Sequence, residues 1–394
     1  MTKKSIKDIE LSGMRAFTRV DFNVPRKEDG TITDDTKIRA ALPTIRYLLE
    51  QGAAVILASH LGRPKGNVNE ALRLDSVAQK LSYLLEMEVT KTSEVVGEEV
   101  TRAAGELKPG SVLLLENVRF HPGEEKNDSE LAKAYAELAD VFVSDAFGTA
   151  HRAHASNSGV AQYIPAVAGL LMITEIENLT KSLHSPTRPV VAIVGGSKIA
   201  DKIGVLNTFL KTADSLLLGG GMANTFLRAK DHNMGRSLLE EDKLADAAEI
   251  MREAANHDVN LCLPVDFIVA DKVDEAAQAE TVPVESVPAD KMALDIGPQT
   301  RKIYKDLISK AGTVIWNGPI GVFEIDKFAE GTIDVARAIA ESEAFSIIGG
   351  GDVVAAVEKA GVAQDISHLS TGGGATLEFW EGKELPGIAV LQDK

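Results

Sequence analysis

The sequence predicts an α/β protein of two lobes, each a parallel sheet flanked by helices, with a cleft and hinge between them. Three observations predict it. Short apolar runs alternate with longer amphipathic stretches along all 394 residues, the pattern of repeated βαβ units. That length exceeds the roughly 250–300 residues at which a single core stops growing. Residue usage also changes near the middle: 10 of the 16 arginines precede residue 181, and 21 of the 33 glycines follow it. The expected domains are 1–172, a connecting helix over 173–186, and 187–386.

In the first half, apolar runs place strands at 16–22, 53–59, 111–116 and 141–143. Amphipathic stretches place helices at 37–51, 73–86 and 129–139. In the second half the strands are expected at 190–194, 215–218, 260–263, 313–316 and 345–348. Helices are expected at 202–210, 243–256, 299–309 and 328–340. The stretch 173–184 reads as a helix that stops before Ser185-Pro186, because the residue preceding a proline disfavours the helical region.

Composition narrows the class. Hydrophobic residues are 44% and charged residues 25%, the balance of a globular chain. The formal charge of −16 disfavours nucleic acid and anionic membranes as partners. Cys262 is the single cysteine, so no intramolecular disulfide forms. The longest apolar run, 166–173, is far short of a membrane span, and no apolar region follows the basic start MTKKSIKDIEL. The expectation is a cytoplasmic protein.

The polar residues recur at one place, the carboxyl ends of the strands, where open parallel sheets bind ligands. Asp21 and Asn23 close the first strand. His60 and Arg63 follow the second, Asn117 and Arg119 the third, and Asp145 through Arg152 the fourth. Arginine's planar fork matches phosphate or carboxylate oxygens, so these residues point to one anionic ligand. His151 and His154 have the spacing of a metal pair, but no third ligand stands out. The second half repeats the placement with Gly195-Gly196, Gly219–Gly221, Pro264-Val265-Asp266, Asn317-Gly318-Pro319 and Gly349–Asp352. Glycines between a strand and a helix let backbone amides approach phosphate oxygens. Lys198 and Lys202 stand at a helix start, where a bound anion would offset the unfavourable dipole.

Absent motifs exclude several chemistries. There is no GxxxxGK[ST] loop, no triple-glycine run completes G-x-G-x-x-G, and the protein-kinase and serine-hydrolase signatures are missing. A two-lobed binding protein without chemistry would need no Lys198–Asp352 apparatus, and a dehydrogenase would need the dinucleotide turn. An arginine-rich anion site beside a glycine-rich site suits phosphoryl transfer, although spacing alone does not name the substrate.

The ordered motifs resemble the phosphoglycerate kinase family across almost the whole chain. They are Arg19-Val-Asp-Phe-Asn-Val-Pro25, Ala58-Ser-His-Leu-Gly-Arg-Pro-Lys-Gly66, Leu115-Glu-Asn-Val-Arg-Phe120, Asp145-Ala-Phe-Gly-Thr-Ala-His-Arg152, Gly195-Gly-Ser-Lys198 with Asp201-Lys202, Leu263-Pro-Val-Asp266, Asp295-Ile-Gly-Pro298, Trp316-Asn-Gly-Pro319 with Gly321-Val-Phe-Glu324, Gly349-Gly-Gly-Asp352 and Ser370-Thr-Gly-Gly-Gly374. The resemblance implies reversible phosphoryl transfer from 1,3-bisphosphoglycerate to Mg-ADP, giving 3-phosphoglycerate and ATP, by a monomer whose lobes close. It also implies that 387–394 returns to the first lobe. By matching motif, Asp21, Asn23, His60, Arg63, Arg119 and Arg152 would hold the phosphoglycerate. Lys37, Lys198, Gly373 and Gly374 would serve the transferring group. Lys202, Gly220, Asn317, Glu324, Gly350, Gly351, Asp352 and Val353 would serve the nucleotide, with Asp352 placing Mg2+.

The chain departs from the family pattern at four places. Lys37 stands where the family usually has an arginine, and the matching Ala40-Ala41-Leu42-Pro43 assigns that role to Lys37 rather than Arg39. Val353 replaces Ser or Thr, so a hydroxyl donor to phosphate is expected to be lost. Asn224 replaces an aromatic residue and Ser197 an alanine. The stretch 33–35 is expected to cap a helix, with Pro43 as a local interruption.

Overall fold

The structure, a computed structural model, describes residues 2–394. The chain divides into two compact units, one running through Glu177 and including Glu384–Lys394, the other spanning Asn178–Lys383. No helix among the described residues is long and apolar enough to cross a membrane.

The first unit is built on six strands: β1 (Arg15–Val20), β2 (Ala54–Ala58), β3 (Val89–Lys91), β4 (Val112–Leu114), β5 (Val141–Asp145) and β6 (Ala166–Ala168). Their order is β3-β4-β2-β1-β5-β6, all parallel. β2, β4 and β5 are buried along their whole length, as expected of strands covered on both faces. Register pairs Arg19 with Ala58 and Val20 with Asp145, so the central strands end nearly flush. The loops that follow therefore open at one edge of the sheet.

The second unit carries β7 (Val190–Val194), β8 (Ser215–Leu218), β9 (Asn260–Cys262), β10 (Asp266–Ala270), β11 (Glu280–Pro283), β12 (Met292–Ile296), β13 (Thr313–Asn317), β14 (Phe345–Gly349) and β15 (His368–Ser370). Six of them form a parallel sheet in the order β15-β14-β13-β7-β8-β9. Asn317 pairs with both Val194 and Gly349, and Val194 pairs with Leu218, so four glycine turns leave the sheet at one level. β10, β11 and β12 form a separate antiparallel sheet. The sequence reading missed this sheet, whose short strands follow one another with no α-helix between them and so break the alternation of strand and helix.

Two local expectations are corrected. Pro43 does not interrupt the helix Thr36–Glu50, which runs through it. The helix buries Ile38, Ala41, Leu42, Ile45 and Leu48 in the core, which outweighs the one hydrogen bond that proline forfeits. The cap is also divided differently. Asp34 accepts from the N–H and hydroxyl of Thr36, whereas Asp35 makes no cap bond and faces Arg39 and Lys80.

The helix Leu170–His184 begins in the first unit and ends in the second. Its start is fixed by Asp145, whose Oδ1 accepts from the N–H groups of Leu171 and Met172, and by Thr44, whose hydroxyl accepts from Leu170. Residues 384–394 pack within the first unit. Gly387 donates to the Ala150 carbonyl and Gln392 to that of Ala166.

Candidate active site

In the first unit, a cavity of about 210 Å³ is lined by Asp21, Asn23, Lys37, His60, Gly62, Arg63, Arg119, Gly148, Thr149 and Arg152. All six residues expected to hold the phosphoglycerate are here, and Lys37 joins them. Their loops leave β1, β2, β4 and β5, which are neighbours in the sheet. Four cations face one carboxylate in a chain whose overall charge is −16. Lys37 Nζ lies 2.8 Å from Asp21 Oδ2. Burial pushes the Asp21 carboxyl up, but Lys37, through its charge and its hydrogen bond, and the Asn23 N–H pull it back below its usual value. Arg39 points elsewhere, 2.8 Å from Asp35, whose pKa its hydrogen bond and that of Lys80 lower to about 2.

Asn117 builds this site without lining it. Its fully buried amide accepts from the N–H groups of Leu61 and Arg119 and donates to the carbonyls of Leu61 and Leu72. It ties the β2 loop to the β4 loop. Arg119 Nη1 then donates to the Gly62 carbonyl at 2.9 Å, while its Nε makes an ion pair with Glu125 at 3.2 Å that is not aligned as a hydrogen bond. Gly62 N–H donates to Asn23 Oδ1 at 2.8 Å. Arg63 is exposed and has no protein partner among the described residues, and Arg152 is half-buried.

The second unit offers two cavities joined at Asp352. The larger, about 370 Å³, has an apolar lining from Leu238, Phe267, Val273, Met292, Leu294, Ile320 and Val322. Glycine turns at Gly196, Gly220 and Gly221 form another wall, with Glu324 and Asn224 at the lining. The antiparallel sheet supplies Phe267, Met292 and Leu294, so an element absent from the sequence reading completes this site. Asn224 is buried. It donates from Nδ2 to the Leu238 carbonyl at 3.0 Å, and its Oδ1 has no partner. Asp295 also lines the cavity. It accepts from Gly331 and Ile296, and burial pushes its carboxyl up to about 8.

The smaller cavity, about 250 Å³, is lined by Lys202, Asn317, Gly318, Gly350, Gly351, Asp352, Val353, Gly373, Gly374 and Leu377. Gly350 has φ +114° and starts the helix Gly351–Lys359. Gly373 has φ +53° and starts the helix Gly374–Trp380. The first-turn N–H groups of a helix have no intrahelical partner, so both starts present backbone donors here. Lys202 donates to Asn317 Oδ1, and Asn317 Nδ2 donates to the Gly349 carbonyl. Burial lowers the Lys202 pKa against the pull of Asp201, Glu381 and Asp352.

Three expected residues are placed differently from the sequence reading. Lys198 is exposed on the loop between Gly196 and Lys202 and lines neither cavity. Val353 lines the smaller cavity, but its side chain is fully buried in the core, so a hydroxyl there would sit among apolar neighbours. Asp266 does not end a strand but begins β10. It is buried and caps the helix Pro298–Ile308 through bonds from Gln299 and Thr300. Among the described residues no cluster of three or more His, Cys, Asp or Glu could hold a metal ion.

Comparison with known proteins identifies the family. The family model described as phosphoglycerate kinase matches residues 6–383. The solved structure of phosphoglycerate kinase from Coxiella burnetii is 45% identical, with a TM-score of 0.91 and coverage of 98% of each chain. That of phosphoglycerate kinase from Pyrococcus horikoshii is 36% identical, with a TM-score of 0.86 and the same coverage. The chain belongs to the phosphoglycerate kinase family.

Proposed function

We propose that this chain transfers a phosphoryl group reversibly between 1,3-bisphosphoglycerate and ADP, as a glycolytic phosphotransferase whose two ligands sit on different units. The observation that carries the reading is the cavity in which Lys37, Arg63, Arg119 and Arg152 face a single carboxylate. A three-carbon acid with a phosphate and a carboxylate suits that charge. The apolar cavity of the second unit suits a nucleobase, Glu324 the ribose hydroxyls, and the glycine turns with Gly220, Gly350 and Gly351 the phosphates.

The chemistry asks little of side-chain bases. The attacking atom is an ionised oxygen in either direction, a carboxylate or a phosphate. Catalysis then reduces to in-line positioning and to neutralising charge on the transferring group. In this reading Lys37 from the first unit, and Lys202 with the backbone amides of Gly373 and Gly374 from the second, supply that charge, and Lys198 joins them when its loop meets bound ligand. Meeting of the ligands excludes water, which would otherwise hydrolyse the acyl phosphate.

Mg2+ accompanies the nucleotide in this reading. Asp352 is exposed at the start of its helix, has no protein partner among the described residues, and offers the hard oxygen that Mg2+ prefers. With no protein cluster beside it, the remaining ligands come from nucleotide phosphates and water. When bound, the ion neutralises phosphate charge. We further propose a cytoplasmic monomer, which light scattering on the eluted protein checks.

The test is a coupled assay of ATP-dependent phosphorylation of 3-phosphoglycerate. Turnover that needs Mg2+ and falls steeply in Lys198→Ala, with little change in either KM, supports the reading. Tight binding of both ligands without turnover would leave only a binding protein.

A further inference from the structure

Behind the arginine-lined cavity lies a buried polar chain that the reaction does not require. Arg19 is the largest charged member. It is 1% exposed and does not line the cavity. Its Nε donates to Ser156 Oγ at 2.9 Å, Nη1 donates to the Val20 carbonyl, and Nη2 lies 3.2 Å from His60 Nδ1. Ser156 in turn donates its hydroxyl proton to Glu124 Oε1 at 2.6 Å and its backbone N–H to Oε2 at 3.1 Å. A hydroxyl has one proton. With that proton on Glu124, its lone pair is what receives Arg19 Nε–H. The direction of every bond from Glu124 to Arg19 is therefore set.

The last link has a chemical consequence. A guanidinium has five N–H donors and no acceptor. A hydrogen bond between Arg19 Nη2 and His60 Nδ1 requires that Nδ1 accept. A neutral imidazole with Nδ1 as acceptor carries its proton on Nε2. Protonating Nδ1 would set two N–H groups against each other where both residues are buried. His60 is 5% exposed and lines the cavity, and among the described residues its Nε2 has no protein partner and is not sealed from solvent.

We propose that Arg19 is a positioning residue that holds His60 as the neutral Nε2–H tautomer, so that the histidine meets the phosphoglycerate as a hydrogen-bond donor. This rests on the reading that the first-unit cavity takes phosphoglycerate. The division of labour is then clear. Lys37, Arg63, Arg119 and Arg152 supply charge. His60 supplies one oriented donor to a carboxylate or hydroxyl oxygen, and adds no further cation to a crowded set.

The surroundings support a neutral ring. Burial, then Arg19, hold the His60 pKa well below its usual value, and Arg119 and Lys37 add to this while Asp21 opposes it. The charge of Arg19 is in turn opposed by Glu124 and Asp21. His154, 3.9 Å from Glu124 through Nδ1, is itself lowered to about 3 by burial and the nearby arginines, so it adds no charge there.

The experiment is a 15N–1H correlation of the imidazole rings in the whole labelled protein, recorded from pH 5.5 to 8.5, with His60 assigned by its loss in His60→Gln. The expected result is a non-titrating Nε2–H pattern. An Nδ1–H pattern, or an imidazolium within that range, overturns the proposal without any variant of Arg19. Arg19→Met should then mix the tautomers or restore titration and weaken 3-phosphoglycerate binding about 2–10-fold, the worth of one neutral hydrogen bond. Arg19→Lys, also donor-only, should restore the Nε2–H pattern. Ser156→Ala, which keeps the buried charge but frees Arg19 Nε, should give an intermediate mixture if Arg19→Met does not fold. A fixed Nε2–H tautomer in a folded Arg19→Met refutes the role of Arg19. A tautomer that follows Arg19 while 3-phosphoglycerate ignores His60→Gln supports the positioning and refutes only the assigned occupant.

Discussion

The first unit makes its pocket from side chains, and the second makes its pocket from backbone. In the first, Lys37 reaches inward from the helix Thr36–Glu50 that follows β1, and Arg63, Arg119 and Arg152 from the segments after β2, β4 and β5. In the second, Gly196, Gly220, Gly350 and Gly373 clear the way for main-chain donors, and apolar residues wall off the rest. Charge carried by a side chain can be removed one group at a time. A backbone surface cannot, because the same glycines that expose it also permit the turn. The two units should therefore fail differently under mutation.

The largest effect is expected at a glycine. Gly220 has φ +67°, and an added Cβ would sit 2.5 Å from the Gly196 carbonyl oxygen, which is backbone and cannot step aside. Gly220→Ala should cost about 2–4 kcal/mol of stability from left-handed strain plus the clash, and abolish nucleotide binding. Phosphoglycerate affinity should survive, as denaturant unfolding and calorimetry with each ligand will show. Loss of both affinities would erase the contrast.

Next come the arginines. Arg63→Ala, Arg119→Ala or Arg152→Ala should each weaken 3-phosphoglycerate binding by about 10–150-fold, the value of one charge-assisted bond, and spare ADP. Equal losses for the two ligands would break the assignment of one ligand to each unit.

Lys37 sharpens the comparison within the first unit. Its ammonium touches Asp21 in the cavity, whereas Arg39 is held by Asp35. Lys37→Ala should lower kcat by about one to two decades, equivalent to ~1.4–2.7 kcal/mol. Lys37→Arg should match or exceed the parent, and Arg39→Ala should be nearly silent. Steady-state rates showing a crippled Arg39→Ala beside a healthy Lys37→Ala would contradict the geometry.

Asp145 separates the site from its support. Burial raises its pKa to about 7, against the bonds from Thr44, Met172 and Leu171. The folded value lies above the ordinary one of 3.8, so the native state binds more protons between these values. Stability from this group is complete below about pH 4 and is lost as pH rises through about 7. Asp145→Asn keeps the accepting Oδ1 and does not titrate. It should come nearest the parent at about pH 4 and below, and exceed it by more than about 1 kcal/mol at pH 8 in urea unfolding. A variant less stable than the parent at pH 8 would show that the ionised carboxylate is needed as the helix cap.

The smallest effect is expected at Val353. Because its side chain packs in the core, Val353→Thr should not tighten nucleotide binding and should cost about 1 kcal/mol of stability for the buried hydroxyl. Tighter Mg-ADP binding by calorimetry would mean that the side chain turns toward the phosphates.

The sequence by itself determined the strand-end placement of the ligand residues. Short apolar strands and the residues immediately after them are local features, and a parallel sheet brings such ends to one edge whatever the details. Helical periodicity put Lys37 and Arg39 on different faces, and the match of Ala40-Ala41-Leu42-Pro43 to the family pattern is what favoured Lys37. Only the tertiary structure decided the rest. The antiparallel sheet that walls the apolar cavity depends on pairing between Asp266–Ala270 and Met292–Ile296, which no short-range period announces. The inward turn of Val353, the capping roles of Asp145 and Asp266, and the tie made by Asn117 depend on partners far along the chain. So does the path from Glu124 through Ser156 and Arg19 to His60. A side chain's chemistry is local, but which groups are buried around it is not, and burial is what turns an arginine into the support of a histidine.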